Sequence, residues 1–140
     1  MKSILIICTG NSCRSQMAHG WLSHLTNDFC IYSAGTYPEL VNKHAIKVML
    51  EVGIDISKYS SNHLNEYIDI DIDFVLTVCD NANEKCPIFP SATSVIHKSF
   101  KDPADATGTY SEIINQYSSI RDELKNYIKD TFLEIISSNK

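Results

Sequence analysis

The hydrophobic positions of this chain follow two alternating rhythms. Ser3 to Ile7 is an aliphatic run ending at Cys8, the pattern of a central parallel strand covered on both faces. Beyond the polar turn Thr9 to Ser12, the residues Met17, Ala18, Trp21, Leu22 and Leu25 recur at helical spacing, and Asn27-Asp28 supplies a stop. Phe29 to Ser33 predicts a second short strand. Ala45, Ile46, Val48, Met49 and Val52 predict a helix that Gly53 can close in the left-handed conformation. Phe74 to Cys79 reads as a third strand and Ser94 to His97 as a weaker fourth. Ile113, Ile114, Tyr117, Ile120, Leu124, Ile128 and Ile135 stripe one long final helix. Strands interleaved with helices predict an α/β fold, a doubly wound parallel sheet.

Two stretches resist this rhythm. Ile68 to Asp73 alternates Ile and Asp strictly, which suits either an extension of the third strand or a polar loop ahead of it. Asp80 to Ala92 carries Asn, Asp, Pro and two cysteine-flanked turns without periodicity, and reads as a loop long enough to move.

Composition narrows the class. At 140 residues, 44% apolar and 21% charged, the chain fits one compact domain over 1–140, with enough core to need no disulfide staple. Twelve basic against seventeen acidic side chains give a net charge of −5, which argues against nucleic acid or a membrane as partner. An anionic substrate then needs a local positive site. The first apolar run is too short for a signal-peptide core or a span, so the cytoplasm is the expected location. The five cysteines, at 8, 13, 30, 79 and 86, are expected to be reactive thiols rather than structural bridges. Zinc fits poorly, for there is no Cys-x-x-Cys pair and His19 and His24 do not share a helical face. No metal and no cofactor are expected.

The chemistry concentrates in Cys8-Thr9-Gly10-Asn11-Ser12-Cys13-Arg14-Ser15, set between the first strand and the first helix. In open parallel sheets ligands bind beyond the carboxyl ends of the strands, where a helix N-terminus offers unpaired amides and a positive dipole end. Gly10 lets the backbone approach a ligand, amides from Thr9 onward can form an anion nest, and Arg14 adds a planar charged fork. The same field favours the thiolate of Cys8, the form that attacks. A lone Cys-x5-Arg would read as a buried strand end, since free cysteine is among the most buried residue types. The strand before it, the helix after it and the Gly-Asn-Ser interior favour an oxyanion-binding nucleophile instead, with Ser15 as a further donor and Cys13 as packing.

These residues, CTGNSCRSQMA, resemble the opening of the low-molecular-weight phosphatase superfamily, and more closely its thioredoxin-coupled arsenate reductase branch. YSAGT at Tyr32 to Thr36, EVGIDIS at Glu51 to Ser57, VCDNANEKCP at Val78 to Pro87, FKDPA at Phe100 to Ala104 and IRDEL at Ile120 to Leu124 continue the likeness in order. The resemblance implies a four-stranded sheet in the flavodoxin-like order 2-1-3-4, flanked by helices. It also implies a mechanism. Cys8 takes arsenate onto its sulfur, held by Thr9 to Ser15 and Arg14, while Asp102 protonates the departing oxygen. Cys79 then attacks Cys8, arsenite leaves, and Cys86 moves the disulfide outward to Cys79–Cys86, where thioredoxin reduces it. Phosphate and sulfate are expected competitors, and the protein is expected to be a monomer. The transfer asks the Asp80 to Lys85 segment to rearrange, and a mobile, partly helical loop is expected there.

The sequence departs from the branch in places. Relatives can bind potassium near the loop through a Glu and a Asp, where His19 and Asn62 stand here; a neutral imidazole offers a hard cation neither charge nor oxygen, so potassium is not expected. His44 replaces a usual Pro without functional consequence. Two rivals stand beside the reductase. A tyrosine phosphatase would need only Cys8, Arg14 and Asp102 but leaves Cys79 and Cys86 idle. A non-catalytic oxyanion or redox sensor would use the loop as a switch, but the chain is no longer than a catalytic unit.

Overall fold

The computed structural model describes residues 1–80, 89 and 94–138. Four strands, β1 (Lys2–Ile7), β2 (Phe29–Ala34), β3 (Phe74–Thr77) and β4 (Ser94–His97), form one sheet in the order β2-β1-β3-β4, parallel throughout. Ile7 pairs with Ala34 on one side and Thr77 on the other, so all three strands end at one level beside Cys8. That level is where the strand order reverses, and ligands of such sheets bind there.

The aliphatic run of β1 is wholly buried because both of its faces are covered: Ile4, Leu5, Ile6 and Ile7 are all at 0% exposure. Each such side chain contributes about 1.5–3 kcal/mol relative to exposure. Ile4 and Ile6 enter the larger core with Met17, Trp21 and Leu22 of α1 (Arg14–Leu25), Val48 and Met49 of α2 (Lys43–Glu51), and Tyr117, Ile120 and Leu124 of α3 (Tyr110–Tyr127). Leu5 and Ile7 face a smaller cluster with Leu64, Ile72, Val75 and Phe89. Among the described residues the second face is therefore covered by a short 3-10 turn, Leu64–Tyr67, and its neighbours rather than by a long helix.

Helix ends follow local chemistry. The Asn42 Oδ1 accepts the amides of His44 and Ala45 at the start of α2, and Gly53, at φ +83°, closes its far end as expected. Thr109 and Glu112 form a reciprocal capping box at the start of α3. The single long final helix of the sequence reading is interrupted: a π turn, Ile128–Phe132, separates α3 from α4 (Leu133–Ser138), turning Ile128, Phe132 and Ile136 all into the core.

The Ile-Asp alternation resolves as a turn ahead of β3 rather than an extension of it. Ser3 holds it there, donating its amide to Asp73 Oδ2 at 2.9 Å and its hydroxyl to the Asp71 carbonyl at 2.9 Å. Ile72 enters the core at 2% exposure, while Ile68 and Ile70 stay at 41% and 37%. The third strand is shorter than expected, ending at Thr77, although Val78 still donates to the Ile7 carbonyl. The loop expected over Asp80 to Ala92, and Cys86 with it, lies outside the described residues apart from Asp80 and Phe89.

Candidate active site

Between the end of β1 and the start of α1 the chain wraps a cavity of about 120 Å³, a size suited to a small tetrahedral anion. Cys8, Thr9, Gly10, Ser12, Cys13 and Arg14 line it from the loop, and Glu39, Asp102 and Ala104 line it from other segments. The twelve-residue helix α1 begins at this wall, and its preceding residue Cys13 makes no side-chain cap bond among the described residues. The positive end of the helix dipole is thus turned toward the cavity.

Two of the expected cradle residues stand behind the cavity wall. Asn11 is fully buried at φ +48°, a conformation asparagine tolerates better than most residues. Its side chain accepts the Asn62 amide at 2.8 Å and donates to the Ser15 hydroxyl at 2.8 Å. Its carbonyl accepts from Gln16 Nε2 at 2.9 Å and Ser61 Oγ at 2.7 Å. Ser15 Oγ in turn lies 2.9 Å from the Cys8 sulfur. Asn11 and Ser15 therefore shape the loop and hold the Cys8 side chain instead of lining the cavity with Thr9, Gly10, Ser12 and Cys13.

Arg14, 3% exposed, donates from Nη1 to the Phe100 carbonyl at 3.1 Å and pairs through Nη2 with Asp102 Oδ2 at 3.4 Å. The expected acid thus sits within the same cavity as the expected nucleophile, presented by the 3-10 turn Pro103–Asp105, whose first amide, that of Ala104, bonds to Asp102 Oδ1 at 3.0 Å. Cys13 is at the opposite chemical extreme from a nucleophile: burial pushes its thiol strongly up, and nearby Asp102 adds to the shift. It stays a thiol, as a packing residue should.

Cys79 is fully buried, and its sulfur lies 3.8 Å from the carbonyl of Ile7, the residue before Cys8. Parallel pairing of β1 with β3 brings this about, since Ile7 and Thr77 are partners and Cys79 follows two residues on. Cys30 is exposed on β2 at the far end of the sheet, its sulfur near that of Met1.

The positions where potassium would be sought do not fit one. Burial lowers the pKa of His19 to about 4, and its Nδ1 is bonded to Ser33 Oγ at 2.9 Å, with the Tyr59 ring tilted at 38° beside it, 4.6 Å between centroids. Asn62 Oδ1 accepts from Ser60 Oγ at 3.2 Å. One buried amide oxygen nearby, Gln16 Oε1, has no donor among the described residues, but a single neutral oxygen supplies no charge.

Two features escaped the sequence reading. Gly35 packs against the loop so closely that a Cβ there would meet the Thr9 carbonyl oxygen at 2.3 Å. Tyr37, Glu39 and Asn42 donate their amides to the carbonyls of Thr9, Gly10 and Ser12, at 3.0, 2.9 and 2.9 Å. Neither has a periodic signal; each arises from two loops meeting across the sheet edge.

The family model for low molecular weight phosphotyrosine protein phosphatases matches residues 3–139, the span that holds this strand, Cys-x5-Arg loop and helix. The chain belongs to that family. Among its relatives, an arsenate reductase of Bacillus licheniformis is 43% identical over 129 residues, 91% of this chain and 93% of that protein. An arsenate reductase of Halalkalibacterium halodurans is 43% identical over 134 residues, 95% and 96% of the two chains. The solved structure of an arsenate reductase in the phosphate binding state superposes with a TM-score of 0.76 at 28% identity, covering 96% of this chain and 99% of that one. An arginine phosphatase from Geobacillus stearothermophilus is similar too, with a TM-score of 0.75 at 26% identity over 99% of this chain and 95% of that one. No helix among the described residues is long and apolar enough to cross a membrane.

Proposed function

We propose that this member of the family is an arsenate reductase, a cytoplasmic monomer that reduces arsenate to arsenite through Cys8, Cys79 and Cys86 and is reset by thioredoxin. The observation that carries the reading is the second buried thiol beside the nucleophile: Cys79 sulfur 3.8 Å from the Ile7 carbonyl. Phosphoryl hydrolysis on this scaffold has no use for it. The arsenate reductases 43% identical to this chain support the same reading.

The Cys8 thiolate attacks arsenic while the loop amides and Arg14 hold the arsenate oxygens. The bond from arsenic to one oxygen breaks, and that oxygen leaves as water with a proton from Asp102. Arg14 turns from Asp102 toward the anion as it binds, releasing the carboxyl for this task. Cys79, as thiolate, then attacks the Cys8 sulfur. The sulfur–arsenic bond breaks with its electron pair on arsenic, which passes from As(V) to As(III) and departs as arsenite, while the two sulfurs are oxidised to a disulfide. Cys86 attacks Cys79, the Cys8 thiolate is restored, and a dithiol reductant opens the Cys79–Cys86 bridge by the same exchange.

The test uses single substitutions in the full chain. Cys79→Ser should form no arsenite yet still hydrolyse an aryl phosphate, which asks only for Cys8, Arg14 and Asp102. Cys86→Ser should form one arsenite per chain and stop as the Cys8–Cys79 disulfide. Continued turnover of arsenate with thioredoxin by either variant would sink the three-cysteine relay.

A second reading, phosphatase action at the same site, is favoured by the likeness to the arginine phosphatase. It predicts hydrolysis of a phosphorylated substrate as the faster reaction, with all of it surviving replacement of Cys79.

A further inference from the structure

The oxyanion cavity contains an acceptor that an anion site does not require. Glu39 forms part of its wall together with Cys8, Gly10, Arg14 and Asp102. Its position is fixed by the backbone, because its amide donates to the Gly10 carbonyl at 2.9 Å and is flanked by the parallel bonds from Tyr37 and Asn42. Its carboxyl carbon lies 3.8 Å from the point where a side chain on Gly10 would begin. The exposed carboxylate therefore leans over the loop whose amides are to hold the ligand.

Charge makes this arrangement selective. Arg14, the one cation of the wall among the described residues, is already 3.4 Å from the Asp102 carboxylate, and Glu39 adds a second negative group facing the same space. An oxyanion whose oxygens are all bare brings only acceptors and meets a carboxylate that is also only an acceptor. An oxyanion that keeps a proton can donate it, converting the repulsive contact into a charge-assisted hydrogen bond. Arsenate and phosphate keep at least one O–H throughout the pH range in which proteins are folded; sulfate keeps none.

We propose that Glu39 is a specificity-determining residue: it accepts a hydrogen bond from a protonated oxygen of the bound anion, so that the site takes hydrogen-bearing tetrahedral oxyanions and turns away sulfate. The proposal rests on reading the cavity as the oxyanion site and revises the expectation that sulfate is a competitor beside phosphate. It does not depend on arsenate being reduced.

The experiment measures how inorganic phosphate and sodium sulfate slow the alkylation of Cys8 by iodoacetamide in the reduced full chain at neutral pH and constant ionic strength. Phosphate should protect at concentrations at least tenfold below those of sulfate. In Glu39→Gln, whose amide can donate as well as accept, sulfate should gain and the ratio should narrow to about threefold or less; Glu39→Asp should keep most of the preference. In turnover assays the Gln variant should become inhibitable by sulfate. Equal protection by the two anions in the native chain, or an unchanged ratio in Glu39→Gln, overturns the role of Glu39 while leaving the site intact. Protection by neither anion overturns the site as well. Because alkylation needs no turnover, the outcome is separate from whether Cys79 and Cys86 carry electrons.

Discussion

The Ser15 hydroxyl lies 2.9 Å from the Cys8 sulfur, and the amide of Asn11 donates to that same hydroxyl oxygen at 2.8 Å. A thiolate sulfur can only accept, so when Cys8 is ionised it is the Ser15 hydroxyl that donates across this contact and stabilises the charge. A hydrogen bond to a charged group contributes about 1.5–3 kcal/mol. Ser15→Ala should therefore slow the alkylation of Cys8 near pH 6 by roughly ten- to hundredfold, and, because the buried Asn11 Nδ2 loses its acceptor, should also lower stability by about 1–3 kcal/mol. Unchanged alkylation would mean that the loop amides alone hold the thiolate.

Gly35 offers a test of the loop's dependence on its neighbours. A Cβ at this position would lie 2.3 Å from the Thr9 oxygen and 2.8 Å from that of Cys8, both backbone atoms that cannot rotate aside. Gly35→Ala should cost about 1–3 kcal/mol in chemical denaturation and lower phosphate protection of Cys8. Gly53→Ala, where no atom lies within 4 Å but φ is +83°, should lower stability by strain alone and leave Cys8 chemistry untouched.

Acid should weaken the fold through His19. Burial holds its pKa near 4 against the ordinary 6.5, so the native state keeps the ring neutral while the unfolded chain takes up a proton. The stabilisation is fully present above about pH 6.5 and is lost as pH falls toward 4, amounting to about 2–3 kcal/mol. His19→Gln, which can still bond Ser33, should flatten the fall in unfolding free energy between pH 6.5 and pH 4. An equally steep profile in the variant would place the acid sensitivity elsewhere.

The sheet was legible because its strands are short and bounded by loops, and the candidate site because Cys8, Gly10 and Arg14 occupy a turn that faces the switch in strand order. What the sequence concealed depends on contacts between distant segments. Nothing near Asn11 announces that its side chain serves Asn62 and Ser15 rather than a ligand. Glu39 sits in a stretch without periodicity, and only the backbone pairing of residues 37–42 with 9–12 brings it to the cavity. The Ile-Asp repeat left a strand extension and a polar loop equally open, and the hydrogen bonds of Ser3 decide for the loop. The π turn was hidden because its buried Ile128 and Phe132 fit a continuous apolar stripe closely enough to pass for an unbroken helix.

Asn42 joins three parts of the molecule through one side chain and one amide: its N–H meets the Ser12 carbonyl, its Oδ1 caps α2, and its Nδ2 reaches the Tyr117 hydroxyl on α3 at 3.1 Å. To loosen the oxyanion loop at Ser12 is thus to uncap one helix and release a buried phenol on another. The cradle inherits the cooperativity of the core, and its amides are aimed before any anion arrives. The ordering cost that a flexible loop would add to every binding event is met once, when the chain folds.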